Sequence, residues 1–146
     1  MNIKTNSKEV KKNDIFICIH DQYEDRHKYI KDIKEASAII IDKNINKKIT
    51  VPLIKVNNTN DTLFQIYNNY YENPLLELNI FAVTGTDGKT TTASIIKQLI
   101  SNYNKIACLG TNGFNYDNYN IKTKNTTPDI GTTLKYAKIL KDNNIK

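Results

Sequence analysis

The stretch FAVTGTDGKTTTASIIKQLI, residues 81–100, sets two glycines, a lysine and a threonine run between apolar, strand-favouring residues and a pattern with helical spacing. Those residue types at that spacing suit the holding of a phosphate chain. Gly85 and Gly88 permit backbone angles that other residues resist, so successive N–H groups can converge on phosphate oxygens. A helix starting at Lys89 adds the unpaired N–H groups and partial positive charge of its N-terminus. Lys89 can reach β- and γ-phosphates as a point charge, and the Thr90 hydroxyl directly after it is placed to ligate Mg2+. The stretch departs from the general G-x-x-x-x-G-K-[ST] form at the first glycine, where Val83 stands. Because the turn falls between a predicted strand and a predicted helix, the reading is a nucleoside triphosphate site over Gly85, Thr86, Asp87, Gly88, Lys89, Thr90 and Thr91. The competing reading is a glycine-rich turn without a ligand.

The elements that must position this turn follow from periodicity. A strand is expected over 80–84, a helix over 89–101 and a strand over 105–110. A polar, hairpin-like stretch comes next, and Asp129 in NTTPD caps a last helix over about 131–142. The segment before the turn alternates in the same way. Buried-strand runs are predicted at 14–19 (DIFICI), 37–42 (SAIIID) and 52–56 (PLIKV). Between them, Tyr29, Ile30, Ile33 and Ala36 have helical spacing over 24–36. A helix over 60–72 is capped by Asn60 or Asp61 and stopped by Asn73-Pro74. Strands alternating with helices predict an α/β fold with a mainly parallel sheet. The junction ENPLLELN divides it into two domains, residues 1–76 and residues 77–146, the second ending where a βαβ unit would enter its next strand.

Composition narrows the function classes. The chain has 146 residues, 39% hydrophobic and 25% charged, which suits a globular protein. No apolar run approaches the roughly 20 residues of a membrane helix, and MNIKTNSKEVKKND is too polar for a signal peptide. Of the 21 basic residues all but Arg26 are Lys, dispersed along the chain. The net charge of +6 therefore reads as a solvated surface rather than a nucleic-acid groove. Cys18 and Cys108 each sit in an apolar run without metal-ligand spacing and are expected to be buried thiols in a reducing cytoplasm.

Beyond these derivations, VTGTDGKTTT resembles the ATP loop of the Mur ligases, TGTNGKTTT, with Asp87 in place of Asn. YYENPLLELNIFAVTGT is similar to that family's approach to the loop. LGTNGF and TKNTTPD resemble segments of its MurE branch, and NSKEVKKNDIFICIHDQYEDRHKYI resembles that branch's opening. The branch comprises ligases that add the third amino acid to UDP-N-acetylmuramoyl-L-alanyl-D-glutamate, and the resemblance covers nearly the whole chain. It implies a substrate-binding domain followed by the first βα units of a P-loop, parallel-sheet ATPase domain.

Position by position, the resemblance implies ATP at Gly85 to Thr91, with Mg2+ on Thr90. Asn125, Thr126 and Thr127 would hold the UDP-muramoyl substrate. Ser7 and the loop Gln22-Tyr23-Glu24 would sit against the uridine and its diphosphate. Thr126 and Thr127 as a turn with a helix cap, and Ser7 as a surface hydroxyl, are the plainer readings. Arg26 and Asp21 replace glycines of the family pattern, which hinders a backbone-first approach to a ligand there.

In the family reaction ATP phosphorylates the D-glutamate carboxylate, and the amine of lysine or diaminopimelate attacks the acyl phosphate. A Mg2+-binding Glu, a carbamylated Lys and an amino-acid-selecting domain are implied beyond Lys146. No catalytic group is therefore assigned within the chain, and Asp129 and Asp142 are better explained by a helix cap and a helix end. The expectation is a fragment or truncated frame without ligase turnover of its own, cytoplasmic and monomeric, with neither nucleic-acid nor membrane partners. The alternatives are another Mur-type ligase with a different acceptor and a non-catalytic nucleotide or UDP-sugar binding module.

Overall fold

A computed structural model describes residues 2–46, 48–123 and 128–145. The chain divides into two compact units, Met1–Ile66 and Tyr67–Lys146. In the first, β1 (Ile3–Lys4), β2 (Ile15–Ile17), β3 (Ala38–Ile41) and β4 (Leu53–Lys55) form one sheet in the order β1-β2-β3-β4. All three pairings are parallel, aligning Ile3 with Ile15, Ile15 with Ala38, and Ile39 with Leu53. Every residue of β3 is buried, as expected of an inner strand of a parallel sheet covered on both faces. Phe16, Cys18, Ile39 and Ile41 share one core cluster with Ile30, Ile33, Ala36 and Val51. The predicted strands at 14–19, 37–42 and 52–56 thus form, with their ends trimmed.

The segment predicted as a helix over 24–36 is instead a 3-10 helix, Arg26–Asp32, capped by the Asp25 side chain on the His27 N–H. Ile30 is its buried residue, and the chain turns extended at Ile33, so Ile33 and Ala36 reach the core from beyond the helix. After β4 comes α1 (Thr59–Tyr70). Its cap is Asn58, whose side-chain oxygen accepts from the N–H groups of Asn60 (2.8 Å) and Asp61 (3.0 Å), so the expected cap at Asn60 or Asp61 is corrected by two or three positions. The stop is as predicted. Asn73 takes the left-handed conformation and Pro74 opens a short 3-10 turn, Pro74–Glu77.

The second unit contains α2 (Lys89–Ser101), the strands β5 (Ala107–Gly110), β6 (Gly113–Tyr116) and β7 (Tyr119–Ile121), and α3 (Ile130–Asp142). Phe114, Tyr116 and Ile145 centre its core, with Tyr136, Ile139 and Leu140 of α3 against them. The Phe114 and Tyr136 rings stack at 4.2 Å. Asp129 caps α3 as expected, accepting from the Thr132 N–H at 3.0 Å.

Two expectations are corrected here. Residues 80–84 form no strand, and Ile80 and Phe81 are exposed. A strand needs a neighbour for its backbone groups, and apolar composition alone does not supply one. In addition, β5 pairs antiparallel with β6, and β6 with β7, so the described strands of this unit form a meander rather than a parallel sheet. The α/β class with a parallel sheet stands on the first unit.

Candidate functional site

The phosphate turn has the local geometry that its residues predict. Gly85 and Gly88 have φ of +148° and +77°, values that side chains rarely adopt. A Cβ at Gly88 would meet nothing within 4 Å, so this glycine is required by its angle and leaves open space above the turn. Gly88 is also the N-cap of α2, which starts at Lys89 with no side-chain cap. The first backbone bond of the helix runs from the Thr92 N–H to the Gly88 carbonyl at 2.8 Å. The N–H groups of Lys89, Thr90 and Thr91 precede it, and with the helix dipole they favour an anion. The turn and the Thr86, Asp87, Lys89, Thr90 and Thr91 residues are exposed. Lys89 folds back over the loop, its ammonium donating to the carbonyls of Gly85 (2.5 Å) and Thr86 (2.9 Å). These groups fit a Mg2+-bound triphosphate: N–H donors, a lysine within reach of the turn, and an accessible threonine hydroxyl for the cation. A polar cleft of about 640 Å3 in this unit, lined by Ser94, Lys97, Asn115 and Lys122 among others, includes none of them.

In the first unit, the segments bearing Ser7 and Gln22-Tyr23-Glu24 both follow the carboxyl ends of parallel strands, the usual ligand edge of such sheets. Ser7 is half-buried and opens a short 3-10 turn, Ser7–Glu9, capped by Asn6 on the Lys8 N–H. The Arg26 guanidinium donates to the Thr5 carbonyl at 2.6 Å, tying the end of the 20–26 loop to the segment before Ser7. Tyr23 projects from the loop, 89% exposed, and Gln22 is exposed beside it. Glu24 accepts from the Tyr29 hydroxyl at 2.9 Å and pairs with Lys28 and Arg26. That hydroxyl bond and the Lys28 ammonium hold its carboxyl below the usual range. The residues that replace glycine have a visible effect. Asp21 Oδ1 accepts from the N–H groups of Tyr23 (2.7 Å) and Glu24 (2.8 Å), so two donors that could face an anionic ligand are taken up internally. Asn125, Thr126 and Thr127 lie outside the described residues.

Sequence reading missed a polar cluster beneath this loop. His20, Asp25, His27, Asp42, Lys43 and Thr59 are joined by ion pairs and hydrogen bonds. The available signal was the position of Asp42 and His20 directly behind strands, the edge at which such sheets place ligand-facing residues. Cys18 beneath them is buried, whereas Cys108 is only half-buried, which corrects the expectation of two buried thiols. Among the described residues no group of three or more His, Cys, Asp or Glu is arranged to hold a metal ion. No helix among them is long and apolar enough to cross a membrane.

Residues 83–146 match the family model described as the Mur ligase middle domain. Over 131 residues the chain is 35% identical to the UDP-N-acetylmuramoyl-L-alanyl-D-glutamate–2,6-diaminopimelate ligase of Clostridioides difficile, covering 88% of this chain and 27% of that protein. It is 37% identical over 136 residues to UDP-N-acetylmuramyl-tripeptide synthetase 2 of Oceanobacillus iheyensis, covering 89% and 27%. Among solved structures, MurF ligase from Thermotoga maritima in complex with ADP aligns with a TM-score of 0.43 and 29% identity, over 71% of this chain and 24% of that one. The chain therefore spans little more than a quarter of the length of these curated relatives.

Proposed function

Because the chain belongs to the Mur ligase family, we propose that it forms the substrate-binding and phosphate-binding part of an ATP-dependent amide ligase. The ligase adds a third amino acid, diaminopimelate or lysine, to UDP-N-acetylmuramoyl-L-alanyl-D-glutamate in peptidoglycan synthesis. Residues 1–76 serve as the UDP-muramoyl domain, and residues 77–146 begin the ATP-binding domain. The protein acts in the cytoplasm as a monomer.

The observation that carries this reading is the turn at Gly85–Gly88 with positive φ at both glycines, opening α2 at Lys89, inside the matched region. Bound there, ATP supplies the phosphoryl group that activates a carboxylate. The chain's own residues bind and orient it. The N–H groups at the start of α2 and the Lys89 ammonium neutralise phosphate oxygens, and the Thr90 hydroxyl ligates Mg2+. The muramoyl substrate is held by Ser7, by Gln22, Tyr23 and Glu24, and by Asn125, Thr126 and Thr127, with hydroxyls and amides as partners for sugar and phosphate oxygens. Diaminopimelate is favoured over lysine by the name of the Clostridioides difficile relative.

Equilibrium binding tests the reading. Calorimetry with ATP and Mg2+, and separately with UDP-N-acetylmuramoyl-L-alanyl-D-glutamate, is expected to give one site for each. Absence of both at millimolar ligand would overturn it.

A further inference from the structure

Asp42, the first residue after β3, has a side chain only 6% exposed. Burial raises the cost of its charge, but bonds from the Thr59 N–H and the His20 ring outweigh that and hold the carboxyl below its usual range. An ionised carboxylate only accepts hydrogen bonds. Its Oδ2 takes the Thr59 N–H (3.1 Å) and Nε2 of His20 (2.9 Å), and it shares the single proton of the Thr59 hydroxyl (3.0 Å) with the Cys18 carbonyl (2.9 Å). His20 therefore carries its proton on Nε2. The other oxygen, Oδ1, is buried without a hydrogen-bond partner and faces Nε2 of His27 at 3.2 Å.

His27 is held from the opposite side. Its Nδ1 lies 2.6 Å from Asp25 Oδ1, and Asp25 Oδ2 takes the Lys43 ammonium. With the proton on Nδ1, the lone pair of Nε2 faces the Asp42 N–H at 3.4 Å. Backbone and carboxylate of one residue thus engage both imidazoles.

Those imidazoles flank the ligand loop. His20 and Asp25 form an antiparallel bridge, and the Arg26 N–H bonds to the Ile19 carbonyl at 3.2 Å. Within that stem, the Asp21 N–H bonds to the Glu24 carbonyl. Asn60 reinforces the incoming strand, donating to the His20 carbonyl at 2.7 Å.

We propose that Asp42 is a positioning residue for ligand binding, its buried carboxylate holding His20 and its backbone N–H holding His27 on the two stems of the Gln22-Tyr23-Glu24 loop. It touches no ligand itself. It fixes where Gln22 and Tyr23 are presented to the nucleotide. This rests on the proposed role of that loop, with UDP as the probe. A carboxylate serving only the start of α1 would need Thr59 alone. The bond to the His20 ring makes the difference.

The test uses the full chain with Asp42→Asn and, as a milder variant at a partly exposed ring, His20→Ala. Amide exchange at Arg26 reports the loop stem, and exchange at Ile39, bonded to the Pro52 carbonyl, reports the sheet. Both variants are expected to speed Arg26 exchange by at least about tenfold while Ile39 is unchanged, and to weaken UDP binding by about tenfold. Nitrogen shifts of the His20 ring should show the Nε2–H tautomer in the parent and a mixture in Asp42→Asn, because an amide can donate as well as accept. Thr59→Ser should keep the parent's stem exchange. Unchanged Arg26 exchange in both variants, or an Nδ1–H tautomer of His20 in the parent, would overturn the proposal. If the parent fails to bind UDP, the ligand reading of the loop falls, and the exchange and tautomer results alone decide the role of Asp42.

Discussion

Lys89 reaches back to the carbonyl of Thr86 at 2.9 Å, so the cation of the phosphate turn is held over the backbone of its own loop. The same ammonium sits on the Gly85 carbonyl. Two carbonyl dipoles thus hold the charge where phosphate oxygens would approach. A phosphate competes for the ammonium because it brings full negative charge where the two carbonyls bring only dipoles.

Lys89→Ala should therefore weaken binding of Mg·ATP by at least about a hundredfold. The side chain is exposed and its partners can turn to water, so the fold should survive. Calorimetry gives the first quantity and the circular dichroism melt the second. Parent-like ATP binding in the variant would count against the assignment of the turn.

Gly88→Ala separates angle from space. No atom blocks a Cβ there, but the φ of +77° remains. A non-glycine residue in that conformation costs about 1–2 kcal/mol. The expected result is weaker ATP binding together with a frayed start of α2, seen as lost amide protection at Thr92. A variant that matched the parent in both would show that the turn tolerates another conformation.

Acid should unfold the first unit through its carboxylates. The Asp14 side chain accepts from the Asn2 N–H and amide and the Lys11 N–H. Burial opposes its charge, but these bonds lower its pKa. Asp25 is lowered likewise, against burial, by Lys43 and His27, and Asp42 shifts in the same direction. A lowered folded pKa means that the unfolded chain takes up protons first. The stabilisation is therefore present above the ordinary carboxylate range near pH 4 and is lost as pH falls through the folded values. Urea midpoints at pH 7, 5 and 3 should fall mainly below about pH 5, with a shallower fall in Asp14→Asn. Midpoints independent of pH over that range would contradict this.

The two thiols should react at different rates. Burial first, then the charges of Asp25 and Asp42, push the Cys18 thiol up to about 12. Cys108 is only half-buried. Since the thiolate is the reactive form, iodoacetamide at neutral pH should label Cys108 in the native protein and Cys18 only on unfolding, with a rate difference of at least about a hundredfold. Peptide mapping reads this directly, and rapid native labelling of Cys18 would refute it.

Helix α2 has no buried residue, and Ile95 and Leu99 lie exposed on it. Helical stability in proteins comes mostly from packing an apolar face. Amides of α2 should therefore exchange faster than those of β3, by about two orders of magnitude or more. Equal protection would show that another surface supports the helix.

Local signals were legible in the sequence where the chain itself satisfies the element. The bounds of α2 follow from Gly88 and the spacing after it, and α3 follows from Asp129. The strands around Phe16 and Ile39 were found from apolar runs. Strand pairing was not. Residues 80–84 read as a strand yet form none, and β5, legible as a strand over 105–110, pairs antiparallel with β6 instead of joining a parallel sheet. The polar cluster on Asp42 needed groups from four separate segments, which no window along the chain contains. The geometry of the turn at 85–88 was legible because glycine, lysine and helix start are contiguous.

The strand order of the first unit has a kinetic consequence. Every strand pairs with its sequence neighbour: Ile3 with Ile15, Ile15 with Ala38, and Ile39 with Leu53. Each closure is short, and short closures sacrifice little chain entropy before contacts repay it. Parallel sheets are ordinarily slow to form because strands must wait for remote partners. Here each strand can add to the one made just before it. During synthesis the sheet can be laid down from the N-terminus as the chain leaves the ribosome, and the loop at 20–25 can settle once Asp42 and Thr59 have emerged.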